Sequence, residues 1–305
     1  MPVARPRRSL VIGVVAVLAL AACSDADEPK AEPSATATSA VAAPVVPAVV
    51  TLVDAGVAPR RVVALDVEKG HSETSTLALT STTDDDFLSS EPTTVPMAIP
   101  FTTTIVDVSD EEVVTDVVYG KATISGGGLD EASLTQARQA LANLEGVTMR
   151  VVHDRTGRVV SRETDPGDKA ADLVARILED VIGLGFVLAV PLPAEEVGVG
   201  AQWKVASEIG TSGRRAKVVS TYELTELTDG GYAIEVASTQ TAEPGDTPAG
   251  KIIDGISTAT GVVRGKSGLL GPIRATSSSK GSTTVEVGGQ RVTTTFDVAL
   301  DATTR

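Results

Sequence analysis

From about residue 51 onward the chain reads as short runs of apolar, β-branched residues alternating with polar ones, the period-two signature of half-buried strands. The runs fall at Val62–Val67, Ser75–Thr82, Phe101–Val108, Val113–Thr123, Thr148–His153, Ala216–Leu227, Tyr232–Thr241, Ile273–Val287 and Arg291–Ala299. Between them stand residues that favour turns: Lys69-Gly70, Asp110-Glu111, Arg155-Thr156-Gly157, Asp229-Gly230-Gly231 and Gly288-Gly289. Two glycines between two Thr/Val runs predict a two-residue hairpin at Gly288-Gly289.

Two stretches break the alternation. Asp130 is placed as an N-cap, with Leu129 before it to staple onto Leu134. Leu134, Ala137, Leu141 and Leu144 then share a helical face, and Gly146 closes the segment. A second helix is predicted from Asp165-Pro166, with Leu173, Val174, Ile177, Leu178, Val181 and Ile182 as its stripe. Its continuation, Val181–Leu192, is apolar nearly all round and too short to span a bilayer. Such a run belongs in an interior, either as core or as the wall of a hydrophobic cavity.

These elements predict an α+β fold, mostly antiparallel β: a large curved sheet with two helices packed on its concave face. A weak internal repeat, in which "IVDVSDEEVV" answers "LTELTDGGYAI", would make the sheet two related β units; low complexity in Val and Thr is the competing explanation. Gly198-Val199-Gly200-Ala201-Gln202-Trp203 is the most distinctive internal motif. Its glycines turn the chain into a strand, and the indole either plugs the core or contacts a ligand.

The first 50 residues follow other rules. Arg5, Arg7 and Arg8 precede an uncharged run from Leu10 to Leu20, which ends in Leu20-Ala21-Ala22-Cys23. This resembles the lipobox of bacterial lipoproteins at every position, and Cys23 is the only cysteine in the chain. A solitary thiol has no partner for a disulfide or a cysteine-type zinc site. The reading is a signal peptide over 1–22, a lipidated Cys23 opening a proline-punctuated linker over 23–50, and one β-rich domain over 51–305. The expected location is the outer face of the cytoplasmic membrane, anchored through diacylglyceryl-Cys23.

Charge narrows the partners. The chain carries 26 basic and 40 acidic residues, and the leader removes three arginines, so residues 23–305 stand at −17. Nucleic acid is a poor partner for such a body, and anionic headgroups repel it, so membrane contact would rest on the acyl chains.

Three segments, "LVDAGVAPRRVVALDVEKG" (52–70), "HDRTGRV" (153–159) and "PLPAEEVGVGAQWKV" (191–205), resemble an uncharacterised group of actinobacterial lipoproteins. More distantly, the pattern is similar to half-barrel lipid carriers of the LolA-like and LppX/LprG-like kind. That resemblance implies a lipid-carrying half-barrel and transfers no catalytic residue.

Catalytic chemistry is thin, and no enzyme is expected. His71 and His153 are the only histidines, both placed at turns and expected to be solvated, and no nucleophile elbow accompanies them. Asp84-Asp85-Asp86 lacks calcium-loop spacing, Gly126-Gly127-Gly128 lacks the Lys-Ser/Thr of a phosphate loop, and no metal or cofactor is expected. The candidate site is a hydrophobic pocket formed by Leu173, Ile177, Val181, Leu184, Phe186, Leu188 and Trp203. The leading expectation is a lipid-like or hydrophobic ligand bound without catalysis. The alternative is an acidic scaffold that meets an envelope protein partner.

Overall fold

Strand formation here follows from alternation sustained over unusual lengths. In the computed structural model, residues 41–43, 48–85, 91–169, 174–175, 177–178, 190–211, 214–247 and 250–305 are described. They form one antiparallel sheet of 15 strands. The strands are β1 (Val41–Ala43), β2 (Val49–Asp54), β3 (Ser72–Asp85), β4 (Thr93–Val108), β5 (Glu112–Tyr119), β6 (Thr123–Ile124), β7 (Thr148–Asp154) and β8 (Val159–Asp165). After these come β9 (Gln202–Thr211), β10 (Arg214–Thr228), β11 (Gly231–Ala242), β12 (Gly245–Thr247), β13 (Gly250–Lys266), β14 (Arg274–Val287) and β15 (Gln290–Thr304). The helix α1 (Glu131–Ala142) stands between β6 and β7.

The spatial order is β1-β8-β7-β5-β4-β3-β15-β14-β13-β11-β10-β9-β2, with β6 beside β4 and β12 beside β13. The two end strands are consecutive in sequence. Only residues 44–48 separate Ala43 from Val49, so the edges approach within about 20 Å, the reach of six extended Cα steps. The sheet is therefore bent round on itself.

Cross-strand registers define the two faces. Trp203, Tyr222, Val236, Gly261, Ser277, Leu300 and Leu79 lie opposite one another in turn and share the face that carries α1. On this face α1 packs Leu134, Ala137 and Leu141 against Ile99, Phe101, Val117 and Met149. Asp130 caps it as expected, its carboxylate accepting the Ser133 N–H at 2.8 Å. Gly127, just ahead, serves the backbone: a Cβ there would lie 2.1 Å from the Thr94 carbonyl oxygen.

The opposite face is ionic and hydroxylic. Mid-strand Lys280 and Asp297 are direct cross-strand partners with an ion pair of 2.9 Å, and Arg274 pairs Asp301 at 2.7 Å. A sheet that met lipid with this face would need an apolar band there. No described helix is long and apolar enough to cross a membrane, which says nothing of strands.

β4 holds Pro96 and Pro100 in the middle of the sheet. Both sit beyond the β5 ladder, which begins at Phe101, so neither missing N–H removes a bond of that ladder. Their carbonyls accept from Ser125 and Gly120 respectively.

The expected arrangement of two helices on the concave face is corrected: among the described residues the fold is almost wholly antiparallel β, with α1 as its one helical element of any length. The second helix does not begin at Asp165-Pro166. Asp165 ends β8, its carboxylate accepts the Gly167 N–H at 2.9 Å, and Gly167 adopts φ 63°, a turn rather than a helix start. Residues 174–175 and 177–178 are helical, and the rest of 170–189 lies outside the described residues. Leu192, the end of the apolar run, is extended and donates its N–H to Thr156.

Val62–Val67 is also not a strand. It belongs to a strap, residues 55–71, that crosses one end of the sheet. Val57 and Arg61 bond Val199 and Val197 beside β9, Leu65 bonds Arg155 in the β7–β8 turn, and Gly70 bonds Ile105 of β4. Its apolar residues join two clusters in succession: Val63 packs in the cluster of Trp203, then Leu65 and Val67 pack with Ile105, Val113 and Leu270. Strand pairing begins at Val41, upstream of the domain boundary read at residue 51.

Candidate functional site

The residues of the expected pocket divide. Leu173, Val181, Leu184, Phe186 and Leu188 lie outside the described residues, as does Cys23. Ile177 is buried in the α1 cluster with Val174 and Leu178. Trp203 is 0% exposed and belongs to a different cluster. Its Nε1 donates to the Pro191 carbonyl at 2.9 Å, and its ring stacks on Tyr222 with centroids 5.4 Å apart. Of the two readings of this motif, the structure selects the core plug.

The α1 face has two unlike halves. Over β3–β7 it is filled by α1 and large apolar side chains. Over β9–β14, beyond the buried Trp203–Tyr222 pair, the registers continue into Val205, Ser220, Ser238, Ala259 and Ser279, then Ser207, Val218, Gln240, Ser257 and Gly281. Val205, a member of the Trp203 cluster, and Ser220 are buried, and the others are half-buried.

On the opposite face a shallow groove of about 630 Å³ crosses β10, β11, β13 and β14. Its walls include Glu223 and Glu235, direct cross-strand neighbours, with Gln202 donating to Glu223 at 3.0 Å. Thr260, Thr276 and Ser278 add hydroxyls. Two like charges opposite one another are unfavourable in a sheet and favour a cationic neighbour.

The histidines differ from expectation in different ways. His71 Nε2 stands 3.8 Å from Glu73 Oε1, the only ion-pair-range contact of a histidine among the described residues. The pairing makes no active site, because Glu73 is 2% exposed and already accepts the Leu270 and Gly271 N–H groups at 2.6 and 3.0 Å. The adjoining cavity is only about 10 Å³, room for one water. His153, expected to be solvated, is 0% exposed. It continues the inward alternation of Met149 and Val151 along β7, so the ring enters the interior just before the turn begins. Burial pulls its pKa down to about 4; Arg162 adds to that, while the backbone of Gly157 and Asp154 oppose it.

Arg162 was not singled out in the sequence. It lies on β8 directly opposite Val151, hence on the α1 face. It is half-buried, makes no ion pair or hydrogen bond among the described residues, and burial lowers its pKa. Its charge also acts on Tyr119, whose hydroxyl burial pushes well above the ordinary phenol range. The signal that could have found it is an arginine in phase with buried residues once β8 is recognised as a strand. β8, "VVSRETD", is too polar to announce itself.

No group of three or more potential metal ligands occurs among the described residues. No protein-family model matches the chain, and no curated protein matches it. Among solved structures, an outer membrane channel from Pseudomonas putida F1 is 9% identical, with a TM-score of 0.22 over 78% of this chain and 97% of that one. A mutant porin of Rh. blastica is 7% identical, with a TM-score of 0.22 over 76% of this chain and 100% of that one. OmpT from Vibrio cholerae is 9% identical, with a TM-score of 0.20 over 78% and 100%. At such TM-scores these similarities carry no argument about what this chain does.

Proposed function

We propose that the protein is an envelope lipoprotein that holds a hydrophobic or amphipathic, lipid-like ligand on the α1 face of its bent sheet, without catalysis. The observation that carries the reading is the unequal filling of that face: α1 and large side chains over β3–β7 and the Trp203–Tyr222 cluster at one end of β9–β11, with half-buried residues such as Ser238, Ala259, Ser257 and Ser279 over the rest of β11–β14. Binding sites of this kind are mostly apolar, concave and formed in advance. Lipidated Cys23 would keep the domain beside the source of such ligands. Native mass spectrometry of gently purified protein tests the reading by seeking a co-purified lipid mass. Its absence, together with no binding of fluorescent fatty acids, refutes it.

The groove on the opposite face supports a second reading, an acidic surface for a basic envelope protein. Glu223 and Glu235 would be its centre. Salt-sensitive crosslinking to a single partner, abolished by E223Q/E235Q, is the outcome expected of it.

A further inference from the structure

The sheet has one break, and a single stretch of chain stands on both sides of it. No ladder joins β8 to β9 among the described residues; β8 is bordered by β1, and β9 by β2. Every ladder from β8 round to β9 is antiparallel, so direction alternates along those eleven strands and the two end ones run the same way. β1 is antiparallel to β8 and β2 to β9, so β1 and β2 share a direction as well, and only residues 44–48 separate them. They have the direction and spacing of two halves of one closing strand, the first half bonded to β8 and the second to β9. The registers also carry the stagger of a sheet that wraps round. Val49 leads, through direct partners in β9, β10, β11, β13, β14, β15 and β3, to Thr94 near the start of β4, whereas β5 joins β4 only from Phe101.

This closing strand is lightly held. β1 bonds β8 only over Val41–Ala43, and β2 bonds β9 only over Val49–Asp54 with a bulge after Leu52, while β13 and β14 pair from Lys251 to Arg264. Pro44 and Pro47, between the halves, have no N–H to give to either edge. On β2, Val49 is 62% and Val53 58% exposed, and Val50 and Leu52 reach the Trp203 cluster only half-buried. The far end, by contrast, is fixed. Asp54 accepts the Gly56 N–H at 2.8 Å and Val57 donates to Val199 at 2.9 Å. Gly56 itself, at φ 74°, sits where a Cβ would lie 2.4 Å from the Gly198 carbonyl oxygen. A short ladder, little burial and one fixed end are the conditions for local opening without global unfolding.

We propose that β1 and β2 together act as a hinged closing strand: pivoting at Gly56, they leave β8 and β9 and open a side entrance to the α1 face. The proposal rests on the ligand-binding reading above and adds the route by which the ligand enters. Removing one strand from between two edges leaves about 10 Å, two strand spacings, through which an acyl chain can pass lengthwise.

Hydrogen exchange on the unliganded full chain is the first test. Amides of β2 should exchange at least about tenfold faster than those of β10 and β13 under native conditions. Equal protection overturns the proposal. The second test locks the strand. Thr51 and Lys204 are exposed direct partners on β2 and β9, within disulfide range as cysteines. In a Cys23→Ser background, Thr51→Cys and Lys204→Cys supply the only thiols. Oxidation should slow both association and release of dansyl-undecanoic acid at least about tenfold in stopped flow, leave Kd unchanged, and be reversed by dithiothreitol. Leu52→Ala, which loosens the strand, should raise both rates and the exchange of β2. Unchanged rates in the oxidised protein overturn the proposal, and so does a change in Kd alone, which would make β2 a wall of the site. No binding of the probe by wild type overturns the ligand-binding reading instead, and hydrogen exchange then decides the closing strand by itself.

Discussion

Replacing Glu73 by leucine should unfasten one end of the sheet. Glu73 lies at the start of β3 and is 2% exposed, yet its two carboxylate oxygens each accept a backbone N–H from the β13–β14 loop, at 2.6 Å from Leu270 and 3.0 Å from Gly271. Leu270 is thereby held in the cluster with Leu65, Val67, Ile105 and Val113, where the strap meets the sheet. A leucine leaves two N–H groups without acceptors, at about 1–3 kcal/mol each. It also removes a buried carboxylate, which returns part of that cost. The expected net loss is about 2–4 kcal/mol, or roughly 5–15 °C of melting temperature for a domain of this size. E73Q retains one acceptor and turns an amide toward the second N–H, so its loss should be about half as large. Urea denaturation followed by circular dichroism measures both variants, and hydrogen exchange at the Leu270 and Gly271 amides locates the effect. A Glu73→Leu change of less than about 0.5 kcal/mol, the level of an ordinary surface substitution, would refute the idea that this carboxylate fastens the loop.

Acidification provides a second check. The His153 pKa is about 4 in the folded protein against an ordinary 6.5, so the unfolded chain takes up the proton first. Stability is therefore full above pH 6.5, declines to pH 4 by about 3 kcal/mol, and H153L should remove that part of the decline. Trp203 is the only tryptophan and is 0% exposed, so native emission should be blue-shifted and resist acrylamide. W203F strands the Pro191 carbonyl and should cost about 1–3 kcal/mol in urea, and rapid quenching of wild type would contradict the core placement. G198A should disturb the strap, since its Cβ would stand 1.9 Å from the Val57 carbonyl oxygen; about 1–3 kcal/mol of overpacking is expected in a thermal melt.

Legibility in the sequence followed the strength of local signals. Gly288-Gly289 was readable because two positive φ angles, 60° and 80°, leave few alternatives to glycine, and β14 and β15 meet there as expected. Asp130 was readable because capping is settled within three residues. Val62–Val67 has strand chemistry but no sheet neighbour; its backbone bonds instead to the Arg155 turn and to Val197, partners no local pattern can announce. β8 and β13 were missed for the opposite reason, being polar and glycine-punctuated strands whose pairing is specified by their neighbours. His153 was misread because a turn follows it, whereas the alternation of Met149, Val151 and His153 along β7 decides its direction. The expected pocket relied on a continuous apolar helix. Of that run only 174–175, 177–178 and 190–192 are described, and Ile177 there packs into the α1 cluster.

The position of β3 also governs how the molecule can form. Its ladders are with β4, close in sequence, and with β15, more than 200 residues further along, where Leu79 meets Leu300. β2 likewise waits for β9, some 150 residues on. The β3–β15 seam cannot close until nearly all of the chain is available and the β2–β9 seam until about two thirds of it is, and each closure spends loop entropy before any ladder compensates for it. Folding should accordingly be slow for a chain of this length. Until β15 arrives, one long side of β3 stays unpaired, and its polar Thr, Ser and Asp residues are the kind that discourage a wrong strand from docking there first.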